Sequence, residues 1–369
     1  MKALAVVNTS IFSEESIEFL PQISITGNKV SLGVVDIEEP AFEDKNLIND
    51  DLVLIKVDAF SCNYRDKAII VKAALKMEKE GINGEPIEFF GSDFVGTVKK
   101  VGKNVKDISV GDRIIPNCYY PGVGKNEIIQ GVTTNEASRG WLKLHHSKVI
   151  KIPSFMSDAV ASAFSIGAQT SSSMIRKMQL KPDDRILVTS GRSNTSQFII
   201  KNLLKKGHIP DVLTTSEWSE DELEFIFPSK LIKIDRGDYN WENYAEIEKY
   251  DAIFDPFFDL HILSAIKHLN MGGKYITCGY KNQHQSFQEE TDKKDNDLNN
   301  IMLTAMINNT TIIGNCIGLT GDLSDAVIDY DKQNPPIIID KIYSIDEGHK
   351  FLDKTYNTTR FGKAILSYT

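Results

Sequence analysis

Residues 183–200 read DDRILVTSGRSNTSQFII. Ile186-Leu187-Val188 is a short apolar run, and Phe198 opens a second one through Ile199, Ile200, Leu203 and Leu204. A polar turn separates them, so the order is strand, tight turn, helix. At this place α/β proteins carry a glycine-rich loop that cradles phosphate groups. Here only Gly191 is a glycine, and serines stand at 190, 193 and 196. The stretch predicts the fold. It leaves two functions open: a phosphate loop rewritten in serine, or one that no longer binds.

Downstream, the pattern repeats. Strands are predicted at 185–189, 211–215, 231–235, 251–255, 273–278 and 311–315, with helices between most of them. Short apolar strands alternating with helices predict a parallel sheet covered on both faces, joined by right-handed crossovers. Upstream, the first 155 residues read as strands: 51–57, 94–101, 111–116 and 148–153. The segment from Asn117 to Gly140 is polar and glycine-dotted, a long excursion near a site or interface. Ser157 and Asp158 can cap a helix, and a second helix runs from Thr170 to Met178. Gln283 to Asn300 is very polar and reads as a mobile surface loop before a helix at 299–308. The tail from Pro335 reads strand, helix, strand.

A chain of 369 residues predicts two domains and buries a large core. The net charge of -9 argues against nonspecific binding to nucleic acid or anionic membrane. The start, MKALAVVNTS, has no long apolar leader, and no apolar run reaches the length of a membrane span. Cys62, Cys118, Cys278 and Cys316 are far apart and form no CxxC pair. A reduced, cytoplasmic protein is expected. His145 and His146 are adjacent, and on a strand their side chains diverge. They read as a polar strand end.

The order of motifs resembles the medium-chain dehydrogenase/reductase superfamily. The resemblance rests on CNYRD at 62–66, GSDFVGTVKKVGKNVKDISVGDRI at 91–114, KVIKIP at 148–153 and SIGAQTSS at 165–172. DDRILVTSG at 183–191, the stretch 250–279, TTIIGN at 310–315 and the tail at 335–366 continue it. It implies an α/β protein: a GroES-like β-barrel catalytic domain, formed by residues 1–158 and 319–369, around a Rossmann doubly wound parallel sheet at 159–318 that binds the cofactor.

Many members of that superfamily hold a catalytic zinc. The resemblance places its ligand positions on Asn63, Ser92 and Ile166 or close to it. None of these is a zinc ligand of the usual kind, so no metal is expected. Loss of zinc, with the Asn63–Tyr64 pair, resembles the quinone oxidoreductase and enoyl-thioester reductase branch. Gly91-Ser92-Asp93 resembles its crotonyl-CoA reductase side. Hydride then goes to the β-carbon of an electron-poor alkene. Without a Lewis acid, the developing enolate needs hydrogen bonds and a proton donor. Asn63 can offer an amide N–H and Tyr64 a phenol, with Tyr64 the first choice as donor. In the bland alternative Tyr64 only packs and Asn63 only caps a turn. Asp66 and Asp93 read as structural carboxylates, pairing with Arg65, Arg113 or Arg360.

For the cofactor, the resemblance lays glycine positions on Ser190, Ser193, Asn194 and Ser196. Gly191 and Asn194 can keep left-handed turns, and Ser193, Thr195 and Ser196 with the helix N–H groups can still hold an anion. Arg192 adds a positive charge. The second strand ends at Thr215 and Ser216, where an NAD site wants a carboxylate, so NADPH is expected over NADH. Cys278 and Gly279 end a strand at the ligand-binding edge, and Asp255 lies at a turn near the ribose. Thr170 matches a threonine beside the nicotinamide, or is simply a helix N-cap. Gly272-Gly273 reads as a helix C-cap. Strand 311–315 is the sheet edge through which relatives dimerise, so a homodimer is expected.

The expectation is thus an NADPH-dependent, zinc-independent reductase of an activated C=C bond. Substrates are enoyl thioesters, enones, quinones or a dehydroamino-acid residue, as small molecules or bound to a carrier or peptide. The alternatives are a carbonyl reductase of the same superfamily, or a cofactor-free member serving as a binding or scaffold subunit.

Overall fold

The computed structural model describes residues 1–13, 17–43, 46–119, 131–281 and 298–369. Residues 120–130 of the polar excursion at 117–140, and residues 283–297 of the loop expected at 283–300, lie outside the described residues. In chain order the elements are β1 (Lys2–Val7), β2 (Glu18–Ile25), β3 (Asn28–Asp36), β4 (Leu52–Ser61), α1 (Tyr64–Glu80), β5 (Ile87–Glu88) and β6 (Asp93–Val101). Then come β7 (Arg113–Pro116), β8 (Trp141–His145), β9 (Val149–Lys151), α2 (Asp158–Ala161) and α3 (Ser165–Met178). β10 (Ile186–Val188), α4 (Asn194–Lys205), β11 (Asp211–Thr214), α5 (Glu220–Ile226), β12 (Lys230–Lys233), β13 (Tyr250–Asp255), α6 (Phe258–Lys267) and β14 (Leu269–Thr277) follow. The chain closes with α7 (Leu298–Ile307), β15 (Thr311–Gly314), α8 (Thr320–Ile328), β16 (Ile339–Tyr343), α9 (Gly348–Tyr356) and β17 (Lys363–Ser367). Among the described residues, no helix is long and apolar enough to cross a membrane.

Two compact units result: Met1–Ile166 with Val327–Thr369, and Gly167–Ala326. The breaks fall inside α3 and α8, later than the expected 158 and 318. The first unit is strand-rich. One sheet runs β2-β3-β1-β5; the other runs β16-β17-β4-β6-β7-β9, with β8 also on β4. β4 is its spine, paired antiparallel with β6, β8 and β17. The strand-only expectation for this half missed α1. Its sequence KAIIVKAALKMEKE is rich in good helix formers, and it buries Ala68, Ile70, Val71 and Met77. The Asp66 carboxylate in its first turn accepts the N–H of Asn63 at 2.7 Å and fixes where the helix starts.

The second unit is one six-stranded sheet in the order β12-β11-β10-β13-β14-β15, every pair parallel. Strand order therefore reverses between β10 and β13, the place where such sheets open a ligand crevice at their carboxyl ends. β10 and β11 are buried throughout, as a sheet covered on both faces requires. Trp241, Tyr250 and Tyr275 are the largest side chains of its core. Gly272-Gly273 does not cap a helix. α6 ends at Lys267, and both glycines lie inside β14, where the register against β13 shifts and Gly272 takes φ +76°.

Candidate functional site

In the strand-rich unit, a buried polar cluster forms where β4 runs into α1. β4 ends at Ser61, and Asn63 sits immediately before the helix. A left-handed turn at Gly91, φ +94°, delivers Ser92 and Asp93 to the start of β6. The first residue of β17, Lys363, comes in from the far end of the chain. Its ammonium donates to Asp93 Oδ2 at 2.9 Å and to Asn63 Oδ1 at 2.8 Å. The Lys363 and Asp93 side chains are 2% and 0% exposed. Asn63 Nδ2 donates to Ser92 Oγ at 3.1 Å and Asp93 Oδ2 at 2.9 Å. The Ser92 hydroxyl donates to Asp66 Oδ2 at 2.7 Å. Burial raises the Asp66 carboxyl, and the hydrogen bonds from Asn63 N–H and Ser92 work against that rise. The expected arginine partners are only half present. Arg65 stands 3.4 Å from Asp66, but Asp93 has Lys363, Arg113 pairs with Asp158, and Arg360 donates to backbone carbonyls.

The positions expected for metal ligands do converge. Asn63 bonds Ser92, and the Ile166 N–H donates to Asp93 Oδ1 at 3.0 Å. They offer an amide, a hydroxyl and an aliphatic chain, with an ammonium against the amide oxygen. Cys62 is buried, and burial pushes its thiol well up, as it does the phenol of Tyr356, which donates to Asn63 O at 3.1 Å. The expectation that Asn63 offers an amide N–H to substrate meets a side chain whose oxygen and amide hydrogens are all engaged inside the cluster. Tyr64 is the first residue of α1, half-buried, with the Lys67 ammonium 5.6 Å from its ring centre.

In the parallel-sheet unit, the serine loop is tied into itself. Ser190 holds φ +50°, a left-handed value, and its hydroxyl lies 3.2 Å from His261 Nε2. Burial lowers the pKa of His261, which favours the neutral ring. Gly191 donates its N–H to Leu213 O at 2.9 Å, and a Cβ there would stand 2.4 Å from Val212 Cγ1 and 3.0 Å from the Trp218 ring. Glycine is kept at 191 for this close packing. Ser193 caps α4, its hydroxyl accepting the Ser196 N–H at 3.1 Å and donating to Ser196 Oγ at 2.9 Å. Ser196 in turn donates to Thr189 O at 2.8 Å, bridging helix and strand where a glycine would let them touch. So the two hydroxyls expected to face an anion hold the loop instead. The Arg192 guanidinium bonds Glu222 and the Glu217 carbonyl and lies over Trp218. What remains for a phosphate is the start of a twelve-residue helix, where the N–H groups of Asn194 and Thr195 have no intrahelical partner. That much fits a dinucleotide pyrophosphate.

Ser216, Cys278 and Gly279 follow strands of the same sheet. Ser216 follows β11, its N–H donated to Thr214 Oγ1 at 3.2 Å. Cys278 and Gly279 follow β14, and Gly279 O accepts the Phe258 N–H at 3.2 Å. Thr170 is buried within α3, which starts at Ser165, so it is no N-cap. Asp255 is buried and accepts from Thr189 at 2.7 Å, Tyr275 at 2.6 Å and the Phe257 N–H at 2.9 Å. It ties three strand ends together.

Residues 49–154 match the alcohol dehydrogenase GroES-like domain family. That match covers the strand-rich part of the chain only, and the six-stranded parallel sheet that follows gives the whole chain the fold of alcohol dehydrogenases and quinone oxidoreductases of known structure. The full chain superposes on a crotonyl-CoA carboxylase/reductase in complex with NADP, with TM-score 0.72 and 16% identity, over 100% of this chain and 94% of that one. A quinone oxidoreductase from Coxiella burnetii gives TM-score 0.66 and 16% identity over 100% of both chains. A polyketide synthase of Dictyostelium discoideum is 25% identical over 345 residues, 88% of this chain and 12% of that protein. An NADPH-dependent alkenal/one oxidoreductase of Arabidopsis thaliana is 24% identical over 232 residues, 62% of this chain and 55% of that protein. The chain thus spans about a tenth of the polyketide synthase and about half of the plant reductase.

Lys363 and His261 were not foreseen from the sequence. Gly362-Lys363 opening the last apolar run was a visible signal for the first. Nothing local marked the second.

Proposed function

We propose that the chain is a zinc-independent reductase of an activated C=C bond, with NADPH as donor. The observation that carries this reading is the trio Asn63, Ser92 and Ile166, none of them a usual zinc ligand, beside an Asp93 carboxylate that is already paired with the Lys363 ammonium. The NADPH-dependent alkenal/one oxidoreductase among the relatives supports the same substrate class. A bound nicotinamide supplies the hydride. The N–H groups of Asn194 and Thr195 would hold its pyrophosphate, and Thr215 and Ser216 would leave its ribose without a carboxylate partner at the strand end. Tyr64 then donates a hydrogen bond and a proton to the enolate, while the cluster around Asn63 fixes the turn that presents it. Substrates in this reading are enoyl thioesters, enones or quinones.

A second reading has its own observation. The Ser193 and Ser196 hydroxyls and Arg192 are all engaged within the protein. If the remaining N–H groups do not suffice, the chain is a non-catalytic binding subunit. Titrating the purified, cofactor-free protein with NADPH and NADH, followed by nucleotide fluorescence, separates the two. NADPH should bind, and more tightly than NADH. No binding of either at millimolar nucleotide would sink the reductase reading.

β15 is the edge of the parallel sheet, with Ile312 exposed on it and Met302, Met306 and Ile307 exposed on α7. A homodimer through this edge would cover them. Sedimentation equilibrium at micromolar protein should give twice the chain mass; a monomer there removes the dimer from the proposal.

A further inference from the structure

We propose that Asp51, His145 and His146 form a binding site for one divalent ion of the zinc and nickel type. The three residues each offer a ligand atom, and those atoms lie within 4.8 Å of one another. The adjacent histidines do not diverge as a strand would make them. β8 ends at His145 and a short 3-10 turn begins at His146, so the second ring swings onto the first: the centroids are 4.8 Å apart and the planes 29° apart. The backbone fixes the third member. His145 pairs with Leu52 across the ladder, and the His146 N–H donates to Asp51 O at 2.9 Å.

His145 Nδ1 accepts the Ser147 N–H at 3.3 Å and lies 2.8 Å from the Ser147 hydroxyl; in the tautomer that donates Nδ1–H to that hydroxyl, as a ligating histidine does to its outer partner, Nε2 is left to ligate. Asp51 Oδ1 accepts from Asn104 Nδ2 at 3.0 Å, leaving the second carboxylate oxygen. His146 Nδ1 is buried and makes no hydrogen bond, with the exposed Asp107 carboxylate 3.6 Å away. One small rotation brings that pair into a carboxylate–histidine–metal arrangement. A tetrahedral ion with bonds near 2 Å needs donors roughly 3.3 Å apart, which χ rotations of these partly exposed side chains can reach. Two imidazoles and one carboxylate suit zinc or nickel and disfavour magnesium, which prefers an all-oxygen octahedron. The site lies at the opposite end of β4 from Asn63, roughly 30 Å away along a ten-residue strand. It is therefore separate from the cluster that would contain the reaction.

The test uses the full chain, freed of metal with EDTA and titrated by calorimetry with zinc chloride, nickel chloride and magnesium chloride. One equivalent of zinc or nickel should bind with micromolar affinity, magnesium should not compete, and the His145 and His146 imidazole resonances should shift. His145→Gln and His146→Gln should each weaken binding by roughly 10- to 100-fold without moving the unfolding midpoint of the metal-free protein. Asp51→Asn, at an exposed position, provides the same test if a histidine variant fails to fold. No binding at millimolar zinc, or unchanged affinity in the variants, overturns the proposal and leaves only adventitious ions at other histidines.

Discussion

Lys363→Ala will lower the stability of the strand-rich unit by about 3–5 kcal/mol, because it strips the cation from a fully buried ion pair. Asp93 keeps hydrogen bonds from Asn63 Nδ2 and from the Ile166 N–H, but its charge then sits uncompensated with no exposed surface. Asn63 Oδ1 loses its donor at the same moment. The double variant Lys363→Met, Asp93→Asn should recover much of the loss, since it removes both charges and leaves a side chain of similar reach. Urea unfolding midpoints of the three proteins decide the matter. A midpoint for Lys363→Ala equal to that of the parent would mean that the pair contributes nothing.

Tyr64→Phe should lower kcat on an alkene substrate by about 100-fold, the low end of what a positioned general acid contributes. KM should stay nearly constant, because phenylalanine keeps the ring that packs beneath Lys67. Stability should change little. The comparison isolates one oxygen: the phenol of a half-buried residue at the first position of α1. If kcat is unchanged, Tyr64 only packs, and a water molecule or another group protonates the enolate.

Local signals carried much of this structure. The central strands β10, β11 and β13 were legible as short, mainly apolar runs between turns, because a strand buried on both faces is filled chiefly by apolar side chains. The strand–turn–helix at 186–205 was legible from its apolar runs and the polar turn between them. α1 was not, although KAIIVKAALKMEKE has helix composition, because β-branched runs on either side dominated the reading.

What the sequence by itself determined is the fold class: the order of strands and helices, with the motif residues at 62–66, 91–114 and 183–191. What only the tertiary structure decided is what those residues have left to offer a ligand. Lys363 meets Asn63 across 300 residues, a contact that no local pattern encodes. The loop serines looked able to bind an anion until their hydroxyls were seen to cap α4 and bridge to Thr189. His145 and His146 looked divergent until the strand was seen to end between them. In each case the residue type sets the chemistry, but a polar atom can serve a ligand only if folding has not already given it a partner.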